Sequence, residues 1–150
     1  MISTPSNPFD ILLLEDEPAD AFLVKMALKE GKILANLHHV TDGREGIDFL
    51  QQTGKYITAL RPDLILLDLN MPRMNGYEFL KAIKSDLNFN DIPVVVLTTS
   101  DVESDVVRSY KLGASSYLSK PVDMEKFISM IHELGNYWFT LVRLPKGCKA

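Results

Sequence analysis

The sequence predicts an α/β fold, a doubly wound five-stranded parallel sheet with strand order 2-1-3-4-5. Three observations predict it. Short aliphatic runs alternate with segments of helical periodicity; acidic residues stand at the ends of the first and third runs; and 150 residues suit one domain with a single core. With 46% hydrophobic, 24% charged and 9% aromatic residues, the chain is an ordinary globular mixture.

Phe9 to Leu14, Leu64 to Leu67 and Val94 to Leu97 are nearly unbroken aliphatic segments, as expected of parallel strands covered by helices on both faces. Leu37 to Val40 and Ser116 to Leu118 carry polar interruptions and suit the outer positions. In the first helix Pro18 occupies the first turn, where its missing N–H is harmless, and Glu17 and Asp20 read as first-turn acids favoured by the helix dipole. Phe22, Leu23, Met26 and Ala27 recur at helical intervals and are expected to face the sheet. Asp42 with Glu45, Asn75 with Glu78, and Ser100 with Glu103 have the spacing of helix N-terminal caps. Leu80, Ile83 and Leu87 then supply the apolar face of the third helix, and Val106, Val107 and Tyr110 that of the fourth. Gly113 suits the C-cap after Leu112. Met124, Phe127, Ile128, Ile131, Leu134, Trp138, Leu141 and Val142 lie three or four apart, which suits one long amphipathic fifth helix whose first half packs on the sheet and which Gly135 either ends or interrupts.

The net charge is -4 and no run of Lys and Arg occurs, which argues against a nucleic-acid or anionic-membrane surface. No aliphatic stretch approaches the roughly 18 residues of a membrane span. Met1 to Pro8 lacks the basic start and apolar run of a secretory signal, so a cytoplasmic location is expected. The single cysteine, Cys148, cannot form an internal disulfide. His38, His39 and His132 have no ligand spacing and read as structural or solvated.

In open parallel sheets ligands bind beyond the carboxyl ends of the strands. Those ends carry Glu15-Asp16-Glu17, Asp68, Thr98-Thr99 and Lys120-Pro121. The first and third strands are neighbours in the expected order, so their carboxylates converge, and their mutual repulsion favours a bound cation or proton uptake. Mg2+ suits such oxygen donors, with Glu15, Asp16, Asp68 and the backbone carbonyl of Asn70 as its candidate ligands. Lys120 adds a compensating positive charge and Thr98 a hydroxyl. Together they suit a phosphoryl group, whose transfer depends on positioning and charge neutralisation. Asp68, flanked by Leu67 and Leu69, is the best-held nucleophile.

These residues resemble the receiver domain of two-component response regulators, a flavodoxin-like fold, over nearly the full chain. Glu15-Asp16 is similar to the family's acidic metal-binding pair. Leu66-Leu67-Asp68-Leu69-Asn70-Met71-Pro72 is similar to its phosphoacceptor loop, and Met74-Asn75-Gly76 to the turn before its third helix. Thr98, Gly113-Ala114-Ser115, Tyr117 and Lys120-Pro121 fall on further family motifs in the family's order and spacing. The resemblance implies that Asp68 accepts a phosphoryl group from a sensor histidine kinase with Mg2+. It implies Lys120 and Thr98 as phosphoryl-stabilising groups, a cis peptide before Pro121, and Thr98 and Tyr117 as switch residues that move inward and remodel the face of helix four, strand five and helix five. It also implies a kinase-docking surface around Asp20, Phe22, Leu23 and Lys25.

Two departures narrow the resemblance. The acidic pair is Glu-Asp where many members have Asp-Asp, and Gly31 to Asn36 and Thr53 to Arg61 lengthen the region before Asp68. With the aromatic tail around Tyr137, Trp138, Phe139, Leu141 and Val142, this enlarged form is similar to the small stand-alone regulators that partner bacterial, especially cyanobacterial, phytochromes. The expected organisation is a flexible N-terminus (1–8), a receiver (9–135) and an aromatic extension (136–150), with no room for a DNA-binding output domain. The tail's apolar residues and Tyr117 suggest a homodimer, because large apolar patches on small proteins mark interfaces.

A phosphoacceptor of this kind turns over no external substrate. An aspartyl-phosphate phosphohydrolase of the haloacid-dehalogenase kind needs a second Asp two residues after its nucleophile, where Asn70 stands. A flavodoxin-like electron carrier needs a Gly- and hydroxyl-rich phosphate loop where Glu15-Asp16-Glu17-Pro18 would repel phosphate. An unphosphorylated receiver-like binding module is the remaining alternative, and the complete acceptor site argues against it.

Overall fold

The computed structural model describes residues 9–31, 33–98, 103–119 and 125–130. Its elements are β1 (Phe9–Leu14), α1 (Pro18–Glu30), β2 (Ala35–Val40), α2 (Gly43–Gln51), a 3-10 helix (Gly54–Tyr56), β3 (Leu64–Leu67), α3 (Gly76–Lys84), β4 (Val94–Thr98), α4 (Glu103–Lys111) and β5 (Ser116–Ser119). Residues 125–130 are also helical. Ser100, Lys120, Pro121, His132 and the tail from Tyr137 onward lie outside the described residues, as does the side chain of Thr98.

All five strands run parallel in the order β2-β1-β3-β4-β5. The three inner strands explain this arrangement: Ile11 to Leu14, Leu64 to Leu67 and Val94 to Leu97 are at most 2% exposed, so both sheet faces must be covered. On one face, Phe49 and Leu50 of α2 and Phe79, Leu80 and Ile83 of α3 pack on Leu12, Leu14, Ile65, Leu67, Val94 and Val96. On the other, Ala21, Val24, Ala27 and Leu28 of α1 and the buried Phe127 pack with Ile11, Leu13, Leu64, Leu66, Val95 and Leu97. The side chains of each inner strand alternate between the two layers, as the two-residue strand period requires.

Several caps form as the spacing predicts. Asn75 and Glu78 close a full capping box on α3. Asp42 caps α2 by accepting from the Glu45 N–H at 2.8 Å, but Glu45 bonds back to the Thr41 N–H instead of the cap's own. Gly113 takes φ +104, the conformation a glycine after a helix adopts most readily. Glu17 differs from expectation: it is the N-cap of α1 itself, its carboxylate accepting from the Ala19 N–H.

The apolar faces need larger corrections. Phe22 and Leu23 are 58% and 45% exposed, because the sheet-facing stripe of α1 runs through the smaller Ala21, Val24 and Ala27. Leu87 is exposed because α3 ends at Lys84, before the next turn could bring it back to the sheet. In α4, Ser109 is fully buried while Val107 and Tyr110 face outward; neighbouring helical positions lie about 100° apart, so one residue of phase exchanges them.

The two lengthened connections are also resolved differently from each other. Gly31 ends α1 with its N–H on Ala27, and Ala35 and Asn36 already belong to β2, so little loop remains between them. Thr53 to Arg61, by contrast, is a structured excursion. It starts from Gln52 in the left-handed conformation, turns through the 3-10 helix, and lays Tyr56 against Phe49 with ring centroids 5.3 Å apart. Arg61 then reaches the Asn88 carbonyl and the Asp91 carboxylate after α3.

Candidate phosphoacceptor site

The carboxyl ends of β1 and β3 lie side by side, and each ladder continues one residue beyond its strand. The Glu15 N–H donates to Val40 and the Asp68 N–H to Leu14, both at 3.0 Å. Two acidic residues are thereby fixed on the sheet's own hydrogen bonding. Carboxylate oxygens of Glu15, Asp16 and Asp68 all lie within 4.8 Å of one another; Glu15 and Asp68 are buried and Asp16 is exposed. The site therefore has a buried acidic floor with one carboxylate on its rim.

Short contacts hold the two buried acids. Glu15 Oε2 accepts from the Glu17 N–H at 3.2 Å, just before the first turn of α1. The His39 ring donates through Nε2 to the Glu15 carbonyl at 2.7 Å, so this histidine supports the site's backbone. Asp68 Oδ1 accepts from the Asn70 N–H at 3.3 Å, which folds the following loop back over the carboxylate. The loop closes where the Gly76 N–H donates to Leu69 at 3.0 Å. A methyl group at Gly76 would lie 2.5 Å from the Asp68 carbonyl oxygen, so only glycine permits this approach of α3 to the loop.

Three carboxylates this close repel strongly, and a divalent cation relieves that repulsion. The donors are all oxygens, the set that hard cations such as Mg2+ and Mn2+ take. The residues present thus fit a divalent ion. Thr98 ends β4, paired in register with Ser119, on the same edge of the sheet as the acids. Tyr117 pairs with Val96 and packs on the α2–α3 core layer, its hydroxyl oxygen buried.

The response regulator receiver domain model matches residues 11–132. The chain belongs to the response regulator receiver family. This receiver is 43% identical over 145 residues to response regulator Rcp1 of Synechocystis sp., covering 96% of this chain and 99% of that protein. A Mn(2+)-bound form of Rcp1 superimposes with a TM-score of 0.76, covering 90% of this chain and 97% of the other. The phosphorylated cyanobacterial phytochrome response regulator RcpA is 39% identical with a TM-score of 0.75, covering 91% and 96%. The bacteriophytochrome response regulator RtBRR is 40% identical with a TM-score of 0.77, covering 86% and 79%. Among the described residues no helix of this receiver is long and apolar enough to cross a membrane.

Of the expected site residues, Glu15, Asp16 and Asp68 meet, Asn70 adjoins them, and Phe22, Leu23 and Lys25 are exposed on α1 with Asp20 half-buried in its first turn. Sequence reading missed the His39 support and a bond between Arg73 and Asp42, residues 31 positions apart. Neither has a local signal: both depend on which strand and loop ends the fold brings together.

Proposed function

We propose that this receiver accepts a phosphoryl group on Asp68 from a sensor histidine kinase, with a phytochrome as the kinase partner. The convergence of Glu15, Asp16 and Asp68 at the ends of adjacent strands carries the reading. An Asp68 carboxylate oxygen attacks phosphorus in line with the P–N bond of a phosphohistidine. That bond breaks as the P–O bond forms, and its electron pair leaves with the imidazole nitrogen. Glu15, Asp16, Asp68 and the Asn70 carbonyl would hold Mg2+, which when bound neutralises charge on the transferring group. Lys120 and Thr98 serve as the stabilising ammonium and hydroxyl.

The likeness to RcpA and RtBRR, both described as phytochrome-type response regulators, supports the kinase partner. The output is a changed binding surface on α4, β5 and the following helix, with Thr98 and Tyr117 as switch residues. In this reading residues 9–135 form the receiver and 136–150 an aromatic extension that contributes, with Tyr117, to a homodimer. The protein acts in the cytoplasm and turns over no external substrate.

Incubation with acetyl phosphate and Mg2+, followed by intact-mass measurement, tests the chemistry. One added phosphate is expected, absent in Asp68→Asn; no adduct, or the same adduct in the variant, would overturn the mechanism. A kinase arm tests docking. Replacing the exposed Phe22 and Leu23 by alanine should slow transfer from a phosphorylated histidine kinase about tenfold, as loss of interface anchors does, and leave uptake from acetyl phosphate unchanged. Equal transfer rates in that arm would refute the α1 surface.

A further inference from the structure

We propose that Arg73 and Asp42 form a positioning pair that holds the acceptor loop in shape over Asp68. Arg73 lies five positions after Asp68 and adopts φ +61, a left-handed conformation that disfavours any side chain. Such a conformation persists only where the surroundings over-determine it. Here they do: Arg73 Nε and Nη2 both reach Asp42 Oδ2 at 2.8 Å. The other oxygen, Oδ1, caps α2 through the Glu45 N–H, so the two oxygens of Asp42 have separate tasks, one for its own helix and one for the distant loop.

Burial makes the pair consequential. The Asp42 side chain is 7% exposed and that of Arg73 63%, so the carboxylate depends on the guanidinium while the guanidinium could be solvated elsewhere. A second strap lies alongside, where the Gly43 N–H donates to the Met74 carbonyl at 2.9 Å. A Cβ at Gly43 would stand 2.6 Å from that oxygen, so helix and loop are in backbone contact. The start of α2 is itself anchored, because Glu45 accepts from the Thr41 N–H, the Thr41 hydroxyl and the Tyr56 hydroxyl. The acceptor loop is therefore pinned at Leu69 and Gly76 by one hydrogen bond and at Arg73 and Met74 by α2. Arg73 touches none of the three acids in these bonds; it acts through the loop as a positioning residue.

The positioning role rests on the reading of Asp68 as phosphoacceptor, whereas the ordering of the loop does not. Arg73→Gly is the decisive variant, since it removes the guanidinium and relieves the left-handed backbone together, so the fold is retained. Arg73→Lys, with charge but no two-pronged donor, is the second variant and should fall between. Three quantities are measured: deuterium exchange of the 69–76 amides, Mn2+ affinity by calorimetry, and the rate of phosphate uptake from acetyl phosphate. In Arg73→Gly, loop exchange should quicken, Mn2+ should bind several-fold more weakly, and uptake should slow on the order of tenfold, within the range that small misplacements of reacting groups produce. Wild-type exchange and uptake in Arg73→Gly would overturn the proposal, as would slow uptake with unchanged exchange, or faster exchange with unchanged uptake. Absence of uptake in the unaltered chain would instead count against the acceptor reading. Faster exchange and weaker Mn2+ binding would then still support the pair, and unchanged values would still overturn it.

Discussion

Gly76 shows how tightly a single position constrains this site. Its Cα lies so close to the acceptor loop that an added methyl would meet Asp68 carbonyl oxygen and Leu69 Cα, each at 2.5 Å. Both are backbone atoms, which cannot swing away as a side-chain tip can. Gly76→Ala should therefore destabilise the protein by about 1–3 kcal/mol, the usual range for overpacking, and urea denaturation would measure it. The same variant should slow phosphate uptake, because the clash falls on the backbone of Asp68 and Leu69. The sequence shows Met74-Asn75-Gly76 as a helix start, since an Asn cap and a Glu three residues later are local signals. The need for glycine has no such signal, because it becomes visible only once the β3–α3 loop folds back and brings the Asp68 and Leu69 backbone against Gly76. Asp42 is similar: its capping role is legible from Glu45, its bond to Arg73 is not.

At the scale of elements, the α2–β3 connection acts as a brace for the start of α2. Tyr56 and Lys55 both return to Glu45, whose side chain is 19% exposed. Burial opposes the charged form of Glu45, but the bonds from Tyr56, Thr41 and Lys55 outweigh it and hold the carboxyl down to about 2, from an ordinary 4.5. The Tyr56 phenol is pushed upward by burial, by its bond to Glu45 and by the nearby carboxylates. A carboxyl lowered on folding stabilises the protein fully above its unfolded value, and that contribution disappears as the pH falls through the folded value. Tyr56→Phe should accordingly cost about 1–2 kcal/mol at pH 7. Urea midpoints of the two proteins should converge between about pH 4.5 and pH 2; a gap of constant size would show that Glu45 is not the partner that matters. In α1, what the sequence shows is the helix and its Pro18 start, while its buried stripe is hidden because Ala21, Val24, Ala27 and Leu28 face the sheet and the adjacent large Phe22 and Leu23 do not.

For the whole molecule, the strand order and the meeting of the acids were legible because the three inner strands are unbroken aliphatic runs, a pattern that only two-sided burial explains. The outer strands are legible only from their position between helices, and β2 begins two residues earlier than its apolar residues suggest, where Asn36 pairs with Asp10 of β1 and its side chain bonds the Asp10 carboxylate. The proposed dimer belongs to this scale as well. Sedimentation of the full chain and of a chain cut after Gly135 should give dimer and monomer masses respectively; equal monomer masses at high concentration would sink the dimer. A strictly parallel sheet also sorts its connections by end, since among the described residues the turns from β1, β2 and β3 into their helices lie at the acidic edge and those from α2, α3 and α4 into the next strand at the other. Thr53 to Arg61 is of the second kind, and Ile57 and Leu60 within it are 74% and 60% exposed. Foreign sequence, a reporter peptide or a binding loop, can therefore be spliced in between those two residues without lengthening any segment that carries an acid, which makes this stretch the natural port for building sensors from the protein.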